Sequence, residues 1–188
     1  MDQLRPIDFL DPAILLSGEV NQQMYESFRK QLEAAPREGC INIELTTLGG
    51  DPEVARMMGE DIRFHSEVEK QRHFVFLGKT AIYSAGTTFM SFFHRDNRYL
   101  TRGTRLMVHE RQNKNCTIRL EGPLTTAVPV LKAKLHEMET AVAIQNEGFA
   151  NLVKGSHVSY EEVLKRATNN WYIEAQDAVA LGLVRAVI

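Results

Sequence analysis

Apolar and polar positions repeat with two different periods along this chain, and the switches between them divide it into elements. Residues 13–16, Ala-Ile-Leu-Leu, form a short uninterrupted apolar run, the pattern of a buried strand, which stops at Ser17-Gly18. Asn21 is a helix cap for residues 22–35, where Met24, Phe28 and Leu32 share one face, and Pro36 and Gly39 close that helix. Residues 41–45 alternate like a strand, Thr46-Thr47-Leu48-Gly49-Gly50 reads as a turn, and Asp51 with Pro52 opens a second amphipathic helix. Val54, Met57, Met58 and Ile62 carry its apolar stripe to about Ser66. The unit then repeats. Residues 73–77 predict a strand, 78–83 a turn, and Ser84 or Ala85 starts a helix of small residues that reaches about Phe93. Two short strands follow at residues 97–100 and 105–108. Strands alternating with helices predict an α/β fold around a mostly parallel sheet.

Outside this repeat the pattern is less regular. Residues 1–12 are polar and interrupted by proline, an N-terminal arm whose apolar anchors are Phe9 and Leu10. Residues 110–122 are polar, with one alternating piece at 116–120 that reads as an exposed strand. The longest helix is expected over residues 129–154, stopped by Gly155. Its apolar positions step alternately by four and three residues through Leu131, Leu135, Met138, Val142, Phe149 and Leu152, and Gln145 is the polar member of the series. Such a seam is either core or a face kept for another subunit. Ser159 with Glu162 forms a capping box for a helix ending near Ala167; a strand at 171–173, a helix at 174–181 and a last strand at 183–188 complete the chain. With no low-complexity linker, residues 1–188 are expected to make one domain.

Composition removes several function classes. The 22 basic and 24 acidic residues are interspersed, and a net charge of −2 favours neither nucleic acid nor an anionic membrane as a partner. No apolar run has the length of a membrane span or a signal segment, so a cytoplasmic protein is expected. Cys40 and Cys116 lack metal-type or redox-type spacing and are expected as free thiols, and the acceptor-like Asn115-Cys116-Thr117 then has no secretory context. His65, His73, His94, His109, His136 and His157 show no metal-binding spacing, and Gly49-Gly50 lacks the lysine or glycine pattern of a nucleotide loop; neither a metal nor a cofactor is expected.

Nucleophilic catalysis fits better. Ser84 lies at a helix start among small residues, and the apolar run at 105–108 delivers His109. A tight loop leading into a buried helix would produce the same local pattern. The Ala85 N–H would face an oxyanion forming at Ser84, and a second donor could come from Gly49-Gly50, another strand-to-helix turn at the same sheet edge.

The order Leu48-Gly49-Gly50, Tyr83-Ser84-Ala85-Gly86 and Met107-Val108-His109 resembles the proteolytic subunit of the Clp protease, a serine peptidase family with a crotonase-like fold. The resemblance runs from about Ala13 through Ile14-Leu15-Leu16-Ser17-Gly18-Glu19-Val20 to Ala178-Val179-Ala180-Leu181-Gly182-Leu183-Val184. It implies a spiral of repeated β-β-α units in which residues 123–155 form a handle helix. It further implies Ser84 as nucleophile, His109 as general base, the N–H groups of Gly50 and Ala85 as oxyanion hole, and Asn170 at the place of the family's catalytic aspartate. Peptide or unfolded-protein substrates, a homo-oligomeric ring and an AAA+ unfoldase partner follow from the same resemblance.

Three departures temper those implications. Asn170 cannot balance an imidazolium, which predicts a weakened enzyme unless its amide oxygen or another acid such as Glu174 serves. Leu48 stands where proline is usual, and Arg111-Gln112-Asn113-Lys114 replaces a glycine-rich segment that docks peptide. The expectation is therefore a serine-type endopeptidase of reduced activity. The alternatives are a non-catalytic structural or regulatory homologue and, further off, a crotonase-type acyl-CoA enzyme, against which the Ser84 and His109 pair argues.

Overall fold

The computed structural model describes residues 4–112 and 121–188. Strands β1 (Ile14–Ser17), β2 (Gly39–Thr47), β3 (Arg72–Tyr83), β4 (Arg98–Leu100), β5 (Arg105–Val108), β6 (Trp171–Glu174) and β7 (Ala186–Val187) form one sheet. Its main path runs β1-β2-β3-β4-β7, and β5 branches from β3 and carries β6. Every pairing is parallel except β5 with β6. Helices α1 (Gln22–Ala34), α2 (Pro52–Val68), α3 (Ala85–Ser91), α4 (Leu124–Val153), α5 (Tyr160–Ala167) and α6 (Ala175–Ala180) complete the described α/β architecture.

The caps form where the sequence has them: Asn21 accepts from the Met24 N–H, Asp51 from the Glu53 N–H and Ser159 from the Glu162 N–H. Only half of the expected box at Ser159 exists, because the Glu162 carboxylate pairs with Arg166 at 2.6 Å.

Residues 78–83, expected as a turn, continue β3 instead. Gly78 misleads because its glycine serves packing: a Cβ there would meet Ile82 Cγ1 and Leu100 Cδ2, each at 2.7 Å. β3 pairs with β4 from Phe76 to Gly78, then with β5 from Ala81 to Tyr83. The change of partner coincides with Thr80 at φ 60° and a register shift in β2 between Leu45 and Thr47. Beyond that change β3 ends beside β5 and no longer beside β4.

Successive residues of β3 face opposite ways, as a pleated strand requires. Phe74 and Phe76 join the large core with Phe28, Phe89 and Phe93, whereas Val75 and Leu77 join Phe9 and Tyr99 on the other face. The N-terminal arm is thus docked: a 3-10 turn at Pro6–Phe9 sets the Phe9 ring 5.0 Å from that of Tyr99. Leu10, expected as a second anchor, is 75% exposed.

The long helix begins at Leu124, ahead of the expected residue 129, and continues through Pro129. It answers the seam question differently along its length. Phe149 and Leu152 are buried in the core, while Leu131, Leu135, Met138 and Val142 are exposed. The expected strand at 116–120 and Cys116 lie outside the described residues; Cys40 is an exposed free thiol.

Arg98 ties the end of α4 to the rest. Its buried guanidinium donates to the carbonyls of Ser91, Phe93, Asn151, Leu152 and Leu183 at 2.9–3.3 Å. β7 spans Ala186–Val187 and is shorter than the expected 183–188. Burial pulls the Arg98 pKa down to about 10, which leaves it charged at neutral pH.

Candidate active site

At the end of β3 the chain turns sharply through Ser84, at φ 52° and ψ −112°, and enters α3 at Ala85. This conformation is unfavourable for a residue with a Cβ and persists only where neighbours enforce it. Here the Ser84 N–H donates to the Met107 carbonyl at 2.8 Å. The Ser84 carbonyl accepts from the N–H groups of Thr87 and Thr88, at 2.9 and 3.2 Å, and from the Thr87 hydroxyl at 2.7 Å. The turn is the arrangement seen at nucleophile elbows, where a strand-to-helix bend exposes a serine Oγ.

β5 runs parallel to β3 with Met107 beside Tyr83, so both strands end at the same edge. His109 follows β5, and its Nε2 lies 2.7 Å from Ser84 Oγ. That distance is within the range for transferring a proton between them.

The Gly49-Gly50 turn is the third component at this edge. A Cβ on Gly49 would sit 3.0 Å from Ser84 Cβ and 3.6 Å from its Oγ. Gly50, at φ 146°, bridges to Val20: the Val20 N–H donates to the Gly49 carbonyl and the Asp51 N–H to the Val20 carbonyl. The Gly50 N–H takes no part in this bridge. The Ala85 N–H is the first of α3 and has no acceptor within its own helix. A Cβ on Gly50 would lie 2.2 Å from the Val20 carbonyl oxygen. Gly50→Ala is therefore expected to lower unfolding free energy by about 2 kcal/mol or more, measured by denaturant titration.

Asn170 is close in topology without making the expected contact. β6 is antiparallel to β5 with Trp171 opposite Val108, so the chain directs His109 and Asn170 toward one another. Yet Asn170 is exposed at φ 55°, its N–H bonds the Ala167 carbonyl, and its side chain makes no hydrogen bond to His109. Among the described residues His109 Nδ1 has no partner. Glu174 does not serve as a substitute: it pairs with Arg105 through a 2.7 Å bond at the other end of the β5–β6 ladder.

Burial pushes the His109 pKa below the ordinary histidine value, and no carboxylate of the described residues opposes that shift. A neutral imidazole is the form that accepts a proton. Activity dependent on His109 should thus rise with pH through a midpoint below about 6.5. The rate of covalent labelling of Ser84 across pH 4–8 measures it, and a midpoint above 7 would contradict this assignment.

Ser84, His109, Gly50 and Ala85 all line one cleft of about 1130 Å³. Met107 and Gly49 to Pro52 form one side, and α4 supplies Met138, Val142, Phe149 and Leu152 on another. Among the described residues its charged lining is Glu19, Asp51, Arg111 and Glu137. Among the described residues no three His, Cys, Asp or Glu side chains gather as a metal site would.

Residues 8–188 match the family model described as Clp protease. The chain belongs to the Clp protease family. Among curated proteins none matches its sequence. In fold it is similar to a mutant of ClpP1 from Listeria monocytogenes in which an asparagine is replaced by aspartate, with a TM-score of 0.66 and 21% sequence identity over 93% of this chain and 90% of that one. The long α4 fits the handle helix of the Clp protease fold. Two cleft residues, Arg111 and Gln145, drew no role from sequence reasoning. The only signal for Gln145 was its interruption of an apolar seam, and Arg111 registered only as a departure from a glycine-rich segment.

Proposed function

We propose that this Clp protease family member is a serine-type endopeptidase. The observation that carries the reading is the 2.7 Å contact between Ser84 Oγ and His109 Nε2 in a cleft. Ser84 Oγ attacks a peptide carbonyl while His109 Nε2 takes its proton, and the N–H groups of Gly50 and Ala85 receive the oxyanion. The imidazolium then protonates the departing amine, and water repeats the sequence to free the acyl group from Ser84. Asn170 leaves the imidazolium without a counter-charge, so turnover is slow. No cofactor enters any step.

The substrate is peptide or unfolded protein lying along the cleft. The exposed apolar part of α4 supports a homo-oligomeric ring assembly, with an AAA+ unfoldase as the source of unfolded chains. Residues 1–188 act as one domain, supported by a core that runs from Ile14 in the first strand to Val184 near the end. No described helix is long and apolar enough to cross a membrane; a cytoplasmic site of action is part of the proposed reading. That His109 Nδ1 has no partner among the described residues favours one second reading, a non-catalytic subunit that contributes structure or regulation to an assembly.

A fluorophosphonate probe separates the two. The peptidase reading expects labelling of the native chain at Ser84, abolished in Ser84→Ala and reduced at least about 10³-fold in His109→Ala. Absence of labelling between pH 6 and 9 in the assembled protein would leave the non-catalytic reading.

A further inference from the structure

The apolar series along α4 is interrupted at Gln145, and the side chain there is engaged. Its Oε1 accepts the backbone N–H of Arg111 at 2.5 Å. From that anchored position the Arg111 guanidinium reaches two further elements: Nη1 donates to the Ala141 carbonyl of α4 at 3.5 Å, and Nη2 to Glu53 Oε1 in the first turn of α2 at 2.6 Å. One residue earlier, the Glu110 N–H points to the carbonyl of Ala167 at the end of α5, at 3.4 Å. The segment leaving β5 is thus fastened to three helices immediately beyond His109. The imidazole itself has only the Ser84 hydrogen bond among the described residues.

A half-buried amide in an apolar seam is unfavourable unless its polar atoms find partners, and leucine would fill the place at no such cost. What Gln145 provides and leucine cannot is an acceptor for the Arg111 N–H. We infer that Gln145 is a positioning residue: by holding the chain two residues past His109, it keeps Nε2 within reach of Ser84 Oγ in a site where no described residue bonds the far side of the ring. The inference rests on Ser84 and His109 being the nucleophile and base. Displacements near 1 Å at such a pair lower rates about 10²-fold, so a single backbone anchor has a measurable effect.

Gln145→Leu completes the apolar series, so it separates positioning from stability. Its midpoint of thermal unfolding should be equal to or above that of the native chain, while the rate of fluorophosphonate labelling and kcat fall about 10- to 100-fold with KM little changed. Gln145→Glu, which retains an acceptor oxygen, should recover most of the lost rate. A second readout needs no activity: the His109 imidazole is titrated by NMR, with its resonance assigned by its loss in His109→Gln. Release of the segment exposes the ring, so its pKa should rise toward the ordinary histidine value in Gln145→Leu. If the native chain labels and Gln145→Leu labels within twofold of it, the positioning role is wrong. If the native chain does not label, the peptidase reading fails, and an unchanged His109 titration in Gln145→Leu overturns the anchoring as well.

Discussion

Replacing Asn170 by aspartate should raise kcat by about two orders of magnitude, with KM little changed. The reverse substitution in a serine protease of another fold lowers turnover about 10⁴-fold, because the amide neither balances the imidazolium nor selects its tautomer. The expected gain is smaller, since the carboxylate must first leave solvent and turn toward Nδ1. Nothing in the backbone prevents it: the positive φ of 55° at this position is one that aspartate tolerates nearly as well as asparagine, and the side chain is exposed. A carboxylate beside the ring also favours its charged form, so the pH midpoint should move upward together with the rate. Peptidase assays of the two chains across pH 5–8 test both effects. An unchanged rate and midpoint would show that position 170 does not supply the third group.

The second large effect concerns assembly. Leu131, Leu135, Met138 and Val142 are 41%, 57%, 37% and 51% exposed along one helix, a repeating apolar row that no described residue of the single chain buries. Burying a leucine side chain contributes about 1.5–3 kcal/mol, and in a two-fold contact each substitution is felt on both partners. Leu131→Lys combined with Leu135→Lys should therefore weaken that contact by more than 10³-fold and reduce the native mass at micromolar concentration by at least half. Helicity should be unaffected, because both positions are already wet and lysine is a good helix former. An unchanged native mass would rule this face out as a subunit contact.

Much of the frame was legible because it depends on local chemistry. Asn21, Asp51 and Ser159 cap the helices they precede, and the alternation in β2 and the apolar run in β1 mark real strands. The errors came from residues whose role is set by distant neighbours. Gly78 looks like a turn until Ile82 and Leu100 occupy the space of its missing side chain. The seam of α4 could not be divided into buried and exposed parts from its own sequence, because only the core around Phe149 and Leu152 decides where burial ends. At the candidate site the residue types were readable and the contacts between them were not. The Ser84 to His109 approach depends on β3 changing partner beyond Thr80, and the lack of contact at Asn170 depends on the backbone turn that follows α5.

Arg98 has a different consequence, for the conditions under which the molecule comes apart. Its positive charge is held by peptide carbonyls at the ends of α3 and α4 and near β7, with no carboxylate among its bonded partners. Acid weakens an ion pair by protonating its anion, and salt weakens one by screening it, but a backbone carbonyl does not titrate in that range and a buried cluster is poorly screened. The junction of the two helices with the last strand should accordingly hold in mild acid and high salt after the exposed arginine–glutamate pairs of α2 have let go. In a chain inactivated by low pH, this corner is expected to be the last to exchange its amide hydrogens.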